Sequence, residues 1–175
     1  MVRARALGAA SRLGTHSVAL RVKGIMDDSP VVRQRACQLE ARHPRHSVRV
    51  LGALISRLSD ADDLVVVAAA DALGEVQARG AVAALSAVAV THDDARCREA
   101  AVAALGSIGD DDGLDAILSA LDDKPAIRRR AVVALAAFNG PLVESALARG
   151  LEDKDWQVRQ AAEALLDASR DDSGS

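Results

Sequence analysis

The feature that most constrains this chain is a segment that recurs at a nearly constant interval. Five stretches align on an apolar anchor: VVRQRACQLE around Val32, LVVVAAADALG around Val65, RCREAAVAALG around Cys97, AIRRRAVVALA around Ile127 and QVRQAAEALL around Val158. Arg often follows the anchor, a small residue stands four places on, and an aliphatic residue usually stands seven or eight places on. The anchors are 33, 32, 30 and 31 residues apart. A period of this length marks a stacked array, because a unit so small buries its apolar face only against its neighbours. A sixth, degenerate copy, RALGAASRLG, opens the chain with Leu13 and Gly14 in the places of Leu73–Gly74 and Leu105–Gly106. It reads as half a unit, lacking its first helix.

Each full unit reads as two helices. The first is amphipathic, as in 47–58, 80–90, 113–123 and 141–151, with aliphatic residues at three- and four-residue steps. A polar turn follows at 59–63, 91–95, 122–126 and 152–156, whose Asp and Ser residues suit helix caps, while Pro30 and Pro125 suit a first helical turn. Ala36, Ala69, Ala101, Ala131 and Ala162 sit one turn after the anchors, where a small side chain lets neighbouring helices approach closely.

Composition agrees with an all-α chain. The 175 residues include 37 alanines but one Phe, one Trp and no Tyr, which favours helix and leaves little for an aromatic pocket. No apolar run reaches the roughly 18 residues of a membrane span. Cys37 and Cys97 lie far apart with no CxxC, which fits buried thiols in a reducing, cytoplasmic setting. The first 26 residues are basic and have no acid, the composition of a transit peptide, but they continue the repeat and are read as part of the fold. Residues 1–167 form a single repeat domain in this reading, and 168–175 a flexible polar tail.

The pattern D-x-x-[VI]-R-x-x-A-x-x-A-L-G at a period near 31 resembles HEAT repeats, particularly the short bilin-lyase-like subclass, over residues 15–167. The resemblance implies a right-handed α-α superhelix, a HEAT-like solenoid of about five helical hairpins plus an N-terminal half repeat. It also implies an ion-pair ladder in which Arg33, Arg98, Arg128 and Arg159 meet the turn residues Asp62, Asp94 and Asp155 of adjacent units. Val66 departs from the repeat Arg, and Ser29 and Lys124 depart from the turn Asp. Trp156 is read as a packing residue.

Reactive chemistry finds little support. The HEAT-like di-iron hydroxylases present His-Glu pairs on successive second helices, and this chain has no His followed by Glu. A bilin would need a large apolar or aromatic cleft, and Phe138 and Trp156 are the only large aromatics. His43 and His46 have ligand spacing but no nearby acid or thiol to complete a site, and His92 reads as a turn residue. No catalytic residue, metal or cofactor is therefore expected.

The remaining reading is recognition. Positions two, three, six and ten after each anchor should line the groove formed by the second helices, which selects Gln34, Arg35, Gln38, Arg42, Asp71, Glu75, Glu99, Arg129, Arg130, Val133 and Gln160. Residues 1–57 carry a net charge of +8 and residues 58–175 a net charge of −11. Arg33, Arg45 and Arg49 then form a basic end patch. The expected function is a non-enzymatic adaptor, scaffold or regulatory subunit that binds a peptide or helix, with an acidic partner suited to the basic end. The alternatives are nucleic-acid binding through that end and, further off, bilin-lyase-like chromophore handling.

Overall fold

The computed structural model describes residues 2–12, 17–43 and 45–172. Regular structure among them is helical throughout: α1 (Val2–Arg12), α2 (Val18–Ile25), α3 (Pro30–Glu40), α4 (Val48–Ser56), α5 (Asp63–Glu75), α6 (Val82–Thr91), α7 (Ala95–Ile108), α8 (Leu114–Ser119), α9 (Pro125–Ala134), α10 (Pro141–Leu151) and α11 (Trp156–Asp172). The helices α2/α3, α4/α5, α6/α7, α8/α9 and α10/α11 make five hairpins, and α1 leads them as a lone second helix. This is the all-α solenoid that the period implies.

Local chemistry sets the boundaries. Ser17 and Ser47 accept the amides of Leu20 and Val50 at the starts of α2 and α4. Asp62, Asp94 and Asp155 accept the amides of Leu64, Arg96 and Gln157 at the starts of α5, α7 and α11. Pro30, Pro125 and Pro141 open α3, α9 and α10, where a missing N–H costs nothing. Gly109 ends α7 in the left-handed conformation, at φ 61°.

The anchors Val32, Val65, Cys97, Ile127 and Val158 are all buried, as are Ala36, Ala69, Ala101, Ala131 and Ala162. Second helices form an unbroken series, α1 on α3, α3 on α5, and so on to α11, whereas first helices meet extensively only at α2 with α4 and α6 with α8. The layer with the closer spacing is the inner side of the bend, so the second helices form the concave face. The closest approach falls on glycine. A Cβ on Gly74 would lie 2.8 Å from Ala104 Cα, and one on Gly106 would lie 2.6 Å from Ala134 Cβ.

The arginine ladder exists, with different acids. Arg33 donates to both carboxylate oxygens of Asp60 at 2.7 Å, Arg98 to Asp123 at 2.6 and 2.9 Å, and Arg128 to Asp153 at 2.7 Å. Each also donates Nη1 to a carbonyl of its own unit's turn, at Asp27 and Asp28, His92 and Asp93, or Asp123. The expected partners Asp62, Asp94 and Asp155 are instead spent capping their own helices, which turns their carboxylates away from the neighbouring unit. Arg159 donates Nη1 to the Asp153 carbonyl at 2.7 Å and, among the described residues, makes no rung of this kind.

One further expectation changes. Trp156 is 61% exposed, because the position two before each anchor lies on the rim, where Pro30, Asp63, Ala95 and Pro125 are also incompletely buried. Helix α11 continues to Asp172, into the segment expected as a tail. Leu13 and Gly14 of the degenerate copy lie outside the described residues.

Candidate binding groove

Three depressions follow one another along the concave face. One of about 460 Å³ lies between α1 and α3, lined by Arg5, Gly8, Val31, Gln34, Arg35 and Gln38. The next, about 640 Å³, spans α3, α5 and α7 and shares Gln34, Arg35 and Gln38 with the first. A third, about 390 Å³, lies between α7 and α9 and shares Ala103 and Ser107 with the second. The shared walls make one groove, with a floor of Ala68, Gly74, Ala104, Gly106 and Ala134. Small floor residues follow from the close helix spacing, and they leave room for an extended segment.

Charge divides the central depression. Arg35 and Arg42 stand on the α3 side and Asp71 and Glu75 on the α5 side. Desolvation between the walls, and then the nearby Glu75 charge, push the Asp71 carboxyl above the ordinary carboxylate value, while Arg130 opposes them. Asp71 remains reachable by solvent, since a concave wall lowers hydration without sealing the group off. It is an acid whose environment favours a cation beside it.

The structure thus gathers Gln34, Arg35, Gln38, Arg42, Asp71 and Glu75 around the central depression, with Arg130 and Val133 in the third. Glu99 lies 3.6 Å from Arg130 and links the two. Arg129 instead donates to Gln157 at 3.3 Å, and Gln160 is exposed on α11, both outside these depressions. Leu64 and Ala41 join the lining without having been expected, and their neighbours in sequence on the groove face were the available signal.

The basic end is weaker than its composition. Arg33 is consumed by the ladder and by two turn carbonyls, so it does not belong to a free patch. Arg21 is buried against Glu40, and Arg57 donates to Asp60 at 3.1 Å. Arg45 and Arg49 remain exposed. His43 Nδ1 faces the Arg45 backbone, 2.6 Å from its carbonyl and 3.2 Å from its amide, while His46 Nε2 holds the Glu40 carbonyl at 2.9 Å. Burial pushes the Cys37 thiol up to about 12, which keeps it protonated. One group among the described residues could hold a metal ion: Asp63, His92 and Cys97 offer ligand atoms all within 4.8 Å of one another.

Stacked helical hairpins with a continuous inner groove define a repeat solenoid. The HEAT-repeat family profile matches residues 18–105, 51–131 and 82–167, and the chain belongs to that family. Its fold resembles the Escherichia coli protein YibA, at TM-score 0.69 and 14% identity, over 94% of this chain and 63% of that one. It also resembles a designed armadillo repeat protein in complex with the peptide (KR)4, at TM-score 0.67 and 19% identity, over 92% and 84%. Importin β matches at TM-score 0.58 and 16% identity, over 91% of this chain and 25% of importin. No curated protein matches the sequence. No helix among the described residues is long and apolar enough to cross a membrane.

Proposed function

We propose that this protein is a non-enzymatic interaction module that holds a peptide or helical segment of another protein along the concave groove. The observation that carries this reading is the run of three contiguous depressions over α1 to α9, with an arginine wall facing a carboxylate wall in the largest of them. A groove of this form is suited to main-chain and side-chain contacts along a segment, and opposed charges fix its direction. The designed armadillo protein bound to (KR)4 is a relative in fold that holds a basic peptide. The same chemistry here places a Lys or Arg of the ligand against Asp71 and Glu75, and an acidic residue or terminal carboxylate against Arg35 and Arg42. Within the HEAT repeats, the period near 31 favours the short bilin-lyase-like subclass, used here for binding in the cytoplasm.

Selection from a random peptide library tests the reading. Enriched sequences should pair a basic and an acidic residue at fixed spacing, and Asp71→Lys with Glu75→Lys should abolish their capture while helicity and Tm hold. Selection that yields no consensus, or binding insensitive to that double substitution, would overturn it. Tight, salt-dependent binding of a nucleic acid at Arg45 and Arg49 would replace it with the basic-end alternative.

A further inference from the structure

The ladder is interrupted at one junction, and the interruption is not a simple loss. Val66 stands where the rungs have Arg33, Arg98 and Arg128, and His92 stands where they have Asp60, Asp123 and Asp153. His92 keeps the turn by accepting the Asp94 amide at Nδ1, at 3.1 Å, as Asp60 and Asp153 accept those of Asp62 and Asp155. Two more departures fall at the same place. Cys97 is the anchor where the other units have Val or Ile, and Asp63 stands two before its anchor where the others have Pro30, Ala95, Pro125 and Trp156. Two of these four changes introduce a metal-ligating side chain, and His92 exchanges a carboxylate for an imidazole.

We propose that Asp63, His92 and Cys97 bind a zinc-class divalent cation that joins the second and third units in place of the missing rung. The three ligand atoms lie within 4.8 Å of one another, and Cys97 Sγ already donates to the Asp63 carbonyl at 3.5 Å. Zinc bonds of about 2.0–2.3 Å set ligand separations of about 3.3–3.6 Å in a tetrahedron, so rotamer adjustments of at most about 1.5 Å close the site. A thiolate, an imidazole and a carboxylate suit zinc or cobalt and not calcium or magnesium, and water completes the fourth position. Asp93 and Asp94 add negative charge beside the cluster. Arg96, 62% exposed and held to Asp94 by hydrogen bonds of 2.8 and 3.1 Å, meets Asp63 only at 3.8 Å, so metal capture by Asp63 gives up the weaker of its contacts. Capture by either ring nitrogen gives up the His92 bond to the Asp94 amide. The clamp spans α5 and α7 next to Leu64, a wall residue of the central depression, so the metal stiffens that part of the groove.

Cobalt titration of the full chain should give one equivalent with a thiolate charge-transfer band and the intense visible absorption of a tetrahedral centre. Zinc should displace the cobalt, raise Tm above that of EDTA-treated protein and shift the Asp94 amide resonance. Cys97→Val, the anchor type at Val32, Val65 and Val158, should remove the band and the zinc-dependent gain in Tm. His92→Asn, a turn substitution outside the core, should weaken cobalt binding by at least about tenfold, and Cys37→Ala should leave the band intact. No charge-transfer band at millimolar cobalt, a band that survives Cys97→Val, or unchanged affinity in His92→Asn would overturn the proposal.

Discussion

The two layers of this solenoid are built from similar apolar helices but are spaced differently. Second helices touch in an unbroken series from α1 to α11, and at Gly74 and Gly106 the space of the missing side chain is filled by the next second helix. First helices splay, and Gly52 in α4 and Gly80 ahead of α6 have no atom within 4 Å of an added Cβ. Gly24 in α2 and Gly150 in α10 instead pack against second helices, with an added Cβ 3.2 Å from Ala36 Cβ and 3.0 Å from Ala162 Cβ. The lesson is that curvature follows from small residues where second helices meet one another. The tight layer produces the groove and its small floor, and the loose layer tolerates change.

Gly106→Ala strikes the tight layer where a Cβ would sit 2.6 Å from Ala134 Cβ and 2.8 Å from its Cα. Denaturant unfolding should show a loss of about 2–3 kcal/mol, since the obstacle is backbone and the helices must part. Arg128→Ala removes a rung whose side chain is only 8% exposed, and it leaves Asp153 without its guanidinium. A loss of about 2 kcal/mol is expected, and a double-mutant cycle with Asp153→Asn should return most of it as coupling.

Acid sharpens the same point. Arg128 and Arg98 hydrogen bonds hold the Asp153 and Asp123 carboxyls below the ordinary value of 3.8. At Asp60, burial works upward but is outweighed by Arg33, the Asp62 amide and Arg57. Lowered folded values stabilise the fold above 3.8, and that stability is lost as pH falls from there through the folded values. A urea titration in Arg128→Ala should show a shallower loss over that window than the wild type.

Gly52→Ala, the matched change in the loose layer, should stabilise by about 0.5–1 kcal/mol through helix propensity. Asp71→Asn should give the smallest effect. Its raised carboxyl value means the ionised form is disfavoured in the fold, so neutralising it should raise Tm slightly at neutral pH, where the wild-type carboxyl is ionised, while weakening capture of basic peptides.

The period alone carries the hairpin order, the buried anchors and most of the groove face, because residues at one offset share one environment in every unit. Gln34, Arg35, Gln38, Arg42, Asp71 and Glu75 came together for that reason. The ladder acids were misassigned because each turn carries two or three aspartates, and only backbone direction decides which caps and which reaches across. The cluster of Asp63, His92 and Cys97 was missed because Asp63 belongs to a different unit from His92 and Cys97 and becomes their neighbour only on stacking. Trp156 was misplaced by weighing residue type over its rim offset.

Hydrogen exchange of the protein with and without a selected groove peptide tests the account most directly. Protection concentrated on α3, α5 and α7, with α4, α6 and α8 unchanged, is the predicted footprint. Protection on the first-helix layer, or confined to the Arg45 and Arg49 end, would contradict it.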